Sequence, residues 1–148
     1  MKKKSEGQIY LENAEKLDAI IEGKLIEQRR WKDLALNITA NMDGERVQSS
    51  SATTSKMEEA VIKCLTVESE IAAEVERLIA EKRKIVRTIE ALRSPTEYRI
   101  LHMRYIQYIS FEDIADKMKK DYNWVTTTHG RAVRHVWEIL MKEKEKDA

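Results

Sequence analysis

Between Met57 and Leu92 an apolar stripe alternates steps of four and three without a slip: Met57, Val61, Cys64, Glu68, Ile71, Val75, Leu78, Lys82, Ile85, Ile89, Leu92. A helix that returns to one side every 3.5 residues carries the coiled-coil period. That stretch has little freedom to be anything but a long amphipathic helix. A second stripe of the same period runs through Tyr10, Ala14, Leu17, Ile21, Lys24, Gln28, Trp31, Ala35, Ile38 and Met42. Ile20, Leu25 and Leu34 are expected to widen it, and Gly23 to cost it about 1 kcal/mol and mark a bend. Between the stripes, "NMDGERVQSSSATTS" over 41–55 has an Asp-Gly turn pair and a Ser/Thr run that cannot bury a face, so a loop is expected, pinned by Val47. Ser55 with Glu58 predicts a capping box for the second helix, and Ser94-Pro95 predicts its end. The expected front of the protein, residues 1–93, is therefore a long antiparallel helical hairpin, each arm on the order of 50 Å. Two helices bury one seam only, so the hairpin is expected to take a third helix, a homo-oligomer or another partner.

Composition agrees. Charged residues are 36% of the chain and aromatics 6%, with four Gly and one Pro, a profile unsuited to a large β core. A net charge of +1 announces no polyanion partner globally. The single cysteine, Cys64, lies on the seam as a small apolar filler and fits a reducing compartment. Nothing approaches the ~18 apolar residues of a membrane span, nor does a signal-peptide core follow the N-terminal lysines. A cytoplasmic, all-α protein is expected.

Residues 94–148 read as shorter pieces: a helix opened by Pro95 and running to about Tyr108, a short helix capped by Ser110 and ending near Met118, a turn over Lys119–Asp121, and a last helix to about Lys144. On a wheel, Val125, His129, Ala132, Val136 and Leu140 fall on one side, flanked by Val133 and Ile139, to pack on Ile114, Ala115 and Met118. The opposite side holds Asn123, Thr127, Gly130, Arg131 and Arg134, with Trp124 at its edge. Asn and Thr are short groups that reach base edges and phosphates, and a helical Gly lets a backbone approach closely. Lys119, Lys120, Arg131 and Arg134 outnumber one acid, Asp121, between 119 and 136. Asn123, Thr126, Thr127 and Arg131 are the candidates for groove contacts, Lys119, Lys120 and Arg134 for phosphate, and Trp124 for a sugar edge. Trp124 and Tyr122 serve equally well as a cover for the short helix.

Short helix, three-residue turn and longer helix are helix-turn-helix proportions. The segment "LHMRYIQYISFEDIADKMKKDYNWVTTTHGRAV" resembles region 4 of the bacterial sigma-70 factors: Arg104-Tyr105, Glu112-Asp113-Ile114-Ala115, Val125 eleven residues after Ile114, and Arg131-Ala132 match in type and spacing. Lys119 stands where that family's turn usually has Gly, and Trp124 with the Thr run replaces its charged DNA-reading residues, so minus-35 promoter recognition is not implied. The layout of a long helical front, a Ser-rich break and this tail also resembles small phage and prophage proteins of Gram-positive bacteria, some of them regarded as transcription regulators. The resemblance implies double-stranded DNA as a partner and RNA polymerase as a second. Two other readings share these residues: a small-terminase-like packaging protein, and a module that grips polymerase rather than DNA.

No catalytic constellation, Gly-rich phosphate loop or ligand set is visible, so neither an enzyme nor a cofactor nor a metal is expected. His129 falls on the packed stripe as a core histidine, and His129 and His135, six apart, are not at zinc spacing. The basic run "EKRKIVR" over 81–87 is expected to be a solvated helix face.

Overall fold

A computed structural model of the chain describes residues 3–45 and 51–147. Among them every regular element is helical: α1 Glu6–Glu45, α2 Ser51–Glu90, α3 Pro95–Leu101 continuing as a π-helical segment His102–Ile106, α4 Phe111–Met118 and α5 Tyr122–Asp147. No helix of the described residues is long and apolar enough to cross a membrane.

The long arms form because their stripes find each other. Every predicted stripe residue on α1 and α2 is buried or half-buried. Two of the polar breaks, Lys82 and Lys24, pair across the seam, and a hydroxyl pair joins the arms beside them. Lys82 Nζ meets Asp18 Oδ1 at 2.5 Å, Lys24 meets Glu74, and the Tyr10 hydroxyl lies 3.1 Å from that of Thr88. Partner numbers rise on one arm as they fall on the other, which is the antiparallel hairpin.

Four local expectations are corrected. Residues 41–45 and 51–55 are helix rather than loop, because α1 continues through Asp43-Gly44 to Glu45 and α2 begins at Ser51; Val47 lies outside the described residues. Ser55 is therefore inside α2 and caps nothing at its start. Ile20, Leu25 and Leu34 are exposed, so the stripe is a strict coiled-coil seam rather than a broad face. Gly23 does not interrupt α1.

The chain divides into two compact units, one of residues 19–79 and one that joins 1–18 to 80–148. The first is seam alone, with Ala35, Cys64, Ile71 and Val75 buried along it. The second contains two apolar clusters. Leu11 and Ala14 of α1, Ile85, Ile89 and Leu92 around the end of α2, Leu101, Tyr105, and Ala132, Val133 and Val136 of α5 form one. Ile100, Met103, Ile114, Ala115 and Val125 form the other, with Ile109, Phe111, Met118 and Trp124 packed on it. The apolar stripe of α5 thus serves two neighbours: Val125 faces α4, as the wheel suggested, while Ala132 to Val136 face the hairpin helices' ends. That shared packing is why the compact unit does not begin at 94.

Gly7 marks a close approach of α1 to α5. A Cβ there would sit 2.9 Å from Val133 Cγ1 and 3.0 Å from the Val133 carbonyl oxygen. One at Gly23 would meet nothing within 4 Å. Ala is favoured over Gly in a helix by about 1 kcal/mol, and overpacking costs about 1–3 kcal/mol. Gly23→Ala should therefore raise the urea midpoint, and Gly7→Ala should lower it despite the same propensity gain. Equal shifts in the two variants would contradict the close approach.

Candidate nucleic-acid interface

The α4–turn–α5 segment is set by caps at each junction. Ser110 accepts a hydrogen bond from the Asp113 N–H at 3.2 Å and opens α4. Lys119 closes it in the left-handed region (φ 57°, ψ 44°), its N–H directed to the carbonyls of Ala115 and Asp116. Gly is the usual residue in that conformation because a Cβ is disfavoured there by about 1 kcal/mol or more. The chain carries a lysine in that geometry. Three residues, 119–121, separate the helices, and α5 starts directly after Asp121.

Beneath the turn, Arg104 and Tyr105 do structural work. The Arg104 guanidinium lies 4.4 Å from the Phe111 ring centroid and donates to the Ile109 carbonyl at 3.3 Å. The Tyr105 hydroxyl lies 2.6 Å from Nε2 of His129, which is buried, with the Phe111 ring edge-on at 4.8 Å. Burial, helped by the Arg104 charge, holds the His129 pKa down at about 4, and burial raises that of Tyr105. A neutral His129 can then accept a hydrogen bond from the Tyr105 hydroxyl at Nε2. The expected core histidine is there, with a partner the sequence did not name.

On the other side of α5 the predicted surface is bare. Asn123, Thr127, Gly130, Arg131 and Arg134 are all exposed, while Val125, Ala132 and Val136 are 0% exposed. A Cβ on Gly130 would meet nothing within 4 Å, so no packing inside the chain requires a glycine there. From Asn123 to Arg134 the face is roughly 17 Å long at helical rise. Lys119 and Lys120 are exposed on the turn, and Lys120 Nζ hangs 5.2 Å from the Trp124 ring centroid. Trp124 is half-buried against the α4 cluster, so the covering role is real for it. The three threonines differ. Thr128 is buried and donates to the Trp124 carbonyl at 2.7 Å, half-buried Thr126 donates to the Asn123 carbonyl at 3.2 Å, and Thr127 alone is fully on the surface.

Two features were not anticipated. Ser94 and Thr96, at the start of α3, join Asp121, Asn123, Trp124, Thr127 and Arg131 around a shallow groove of ≈ 590 Å³, giving the face a second wall. Next to it, His135 Nδ1 lies 2.5 Å from Oε1 of the buried Glu97. The signal for Glu97 was present, since Ser94-x-x-Glu97 is a capping pattern and the Ser94 hydroxyl does accept the Glu97 N–H at 3.3 Å. Its carboxylate turns to α5 instead of back to the cap. His102 also has partners, Gln107 at 2.9 Å and the Tyr98 ring. In the run 81–87, Lys82 is engaged by Asp18, and Arg83, Lys84 and Arg87 face solvent.

These elements define an all-helical protein with a polar, arginine-bearing helix face held out by its own core. The chain belongs to the family described as protein of unknown function (DUF1492), whose model matches residues 38–137, more than half of its length. No curated protein and no solved structure matches it.

Proposed function

We propose that this protein binds double-stranded DNA sequence-specifically in transcription control, of phage or prophage type, with α4, the turn and α5 acting as a sigma-70 region 4-like helix-turn-helix. One observation carries the reading: Asn123, Thr127, Gly130, Arg131 and Arg134 are exposed on one helix face that the chain leaves uncovered. A helix presenting such a face fits a major groove about 12 Å wide. Asn123, Thr127 and Arg131 address base edges, with Thr126 at their border; Lys119, Lys120 and Arg134 address phosphate, and Trp124 packs against sugar. RNA polymerase is the proposed second partner, and a homo-oligomer formed through α1 and α2 would present two recognition helices at once, raising affinity without new contacts.

Selection of bound fragments from random duplex DNA tests the reading, followed by binding at graded salt. The three phosphate contacts of one recognition helix should give a log–log salt slope of roughly −2.7. Arg131→Ala should weaken binding by about 5- to 150-fold, equivalent to about 1–3 kcal/mol, and leave the thermal midpoint in place. Gly130→Ala is the sharper variant. It should raise stability by up to about 1 kcal/mol, as for any unpacked helical glycine, and still weaken binding. A flat salt response would move the reading to a protein partner such as polymerase, and a ring of eight or more subunits to a packaging protein.

A further inference from the structure

Besides its seam, α2 carries a second periodic face. Ile62, Leu65, Ser69, Ala72, Glu76 and Ile79 follow one another at steps of three and four, with one charge among them. Ile62, Leu65 and Ile79 are 62%, 47% and 44% exposed, and Ser69 is exposed between them. The same period continues outward to Glu58 at one end and Arg83 at the other, both exposed.

Read backwards, this face matches itself. A two-fold axis between Ser69 and Ala72 sets Ile62 opposite Ile79, Ser69 opposite Ala72, and Glu58 opposite Arg83. From this self-complementary order we infer that a second copy of the chain occupies the face, its α2 running antiparallel. A two-fold interface requires that whatever one residue meets, its mate meets in return. Here large side chains meet large ones away from the axis. Small ones meet at the axis, where they let the helices approach to about 8 Å. Opposite charges meet at both ends, which fixes the register. Only Leu65 opposite Glu76 is an unlike pair, and the glutamate's two methylenes cover the leucine while its carboxylate stays in water. The face lies on α2 alone, so the dimer stands or falls independently of DNA binding by α5.

The full-length chain should sediment as a dimer at micromolar concentration. Ala72→Glu, which keeps a good helix former, should leave far-UV circular dichroism unchanged and convert the dimer to monomer by placing carboxylates beside the axis. Arg83→Glu should weaken association roughly tenfold by setting like charges across both ends. The double variant Glu58→Arg/Arg83→Glu should restore it. Positions 58 and 83 are about 37 Å apart along one helix, so that rescue cannot arise within a chain. A monomer at all concentrations, a larger ring, a dimer indifferent to Ala72→Glu, or an Arg83→Glu defect with no rescue would each overturn the assignment.

Discussion

Val125→Asp should unfold the packing of α4 on α5 and leave residues 19–79 helical. Val125 is 0% exposed and lies among Ile100, Met103, Ile114 and Ala115, an apolar set. A carboxylate placed there must remain ionised without a partner or take up a proton, and either course costs several kcal/mol. Val125→Ala separates shape from charge: it removes packing only and should cost about 1–3 kcal/mol. The Asp variant should exceed about 4 kcal/mol, a large share of the 5–15 kcal/mol that holds an ordinary domain together. The indole resonance of Trp124, which packs on this cluster, should collapse to its unfolded position. That of Trp31, in α1 within 19–79, should stay where it is. An unchanged thermal midpoint would mean that the α4–α5 contact is not a core. Loss of DNA binding in this variant, unlike Arg131→Ala, would come with loss of structure, so the two together separate a scaffold residue from a contact residue.

How much of this was legible in the sequence depended on whether the signal was periodic or pairwise. Both arms were readable residue by residue, since a seam repeats its requirement at each turn and a few polar positions such as Lys24 and Lys82 cannot hide it. The bare face of α5 was readable for the same reason. Pairings between distant positions were not. Glu97 with His135 and Tyr105 with His129 are 38 and 24 residues apart, and nothing local to either partner demands the other. Gly7 was invisible because a glycine near a helix start has many causes, and only the distance to Val133 reveals this one. The boundary failed for a related reason. Ser, Thr, Asp and Gly around 41–55 are weak helix formers, yet their propensity costs are each about 1 kcal/mol or less, small enough for a long helix to continue through 45 and restart at 51. Of the two threonines named as groove candidates, Thr127 is exposed, whereas half-buried Thr126 bonds its hydroxyl to the Asn123 carbonyl of its own helix, a difference that the Thr run itself does not announce.

Acid should loosen the same unit through His129, and the sign follows from burial. Its pKa is held at about 4 in the folded chain, against an ordinary 6.5, by burial first and the Arg104 charge second. Between those values the unfolded chain carries a proton at this site that the folded chain does not. Stability therefore rises with pH across the window and is fully present above 6.5. It falls by about 1.4 kcal/mol per unit below that, to a loss of about 3 kcal/mol near pH 4. Asp18 acts elsewhere. Burial pulls its pKa up, but hydrogen bonds from Lys82 and Tyr108 outweigh that, so its contribution is lost only below the ordinary 3.8. His129→Gln keeps an acceptor for the Tyr105 hydroxyl and removes the titration. Urea midpoints measured from pH 7 to pH 4 should slope in the parent and flatten in the variant. His102 and His135 remain in both proteins, so they cannot account for a slope that disappears. Equal slopes in the two would show that His129 is reached by protons without opening the core.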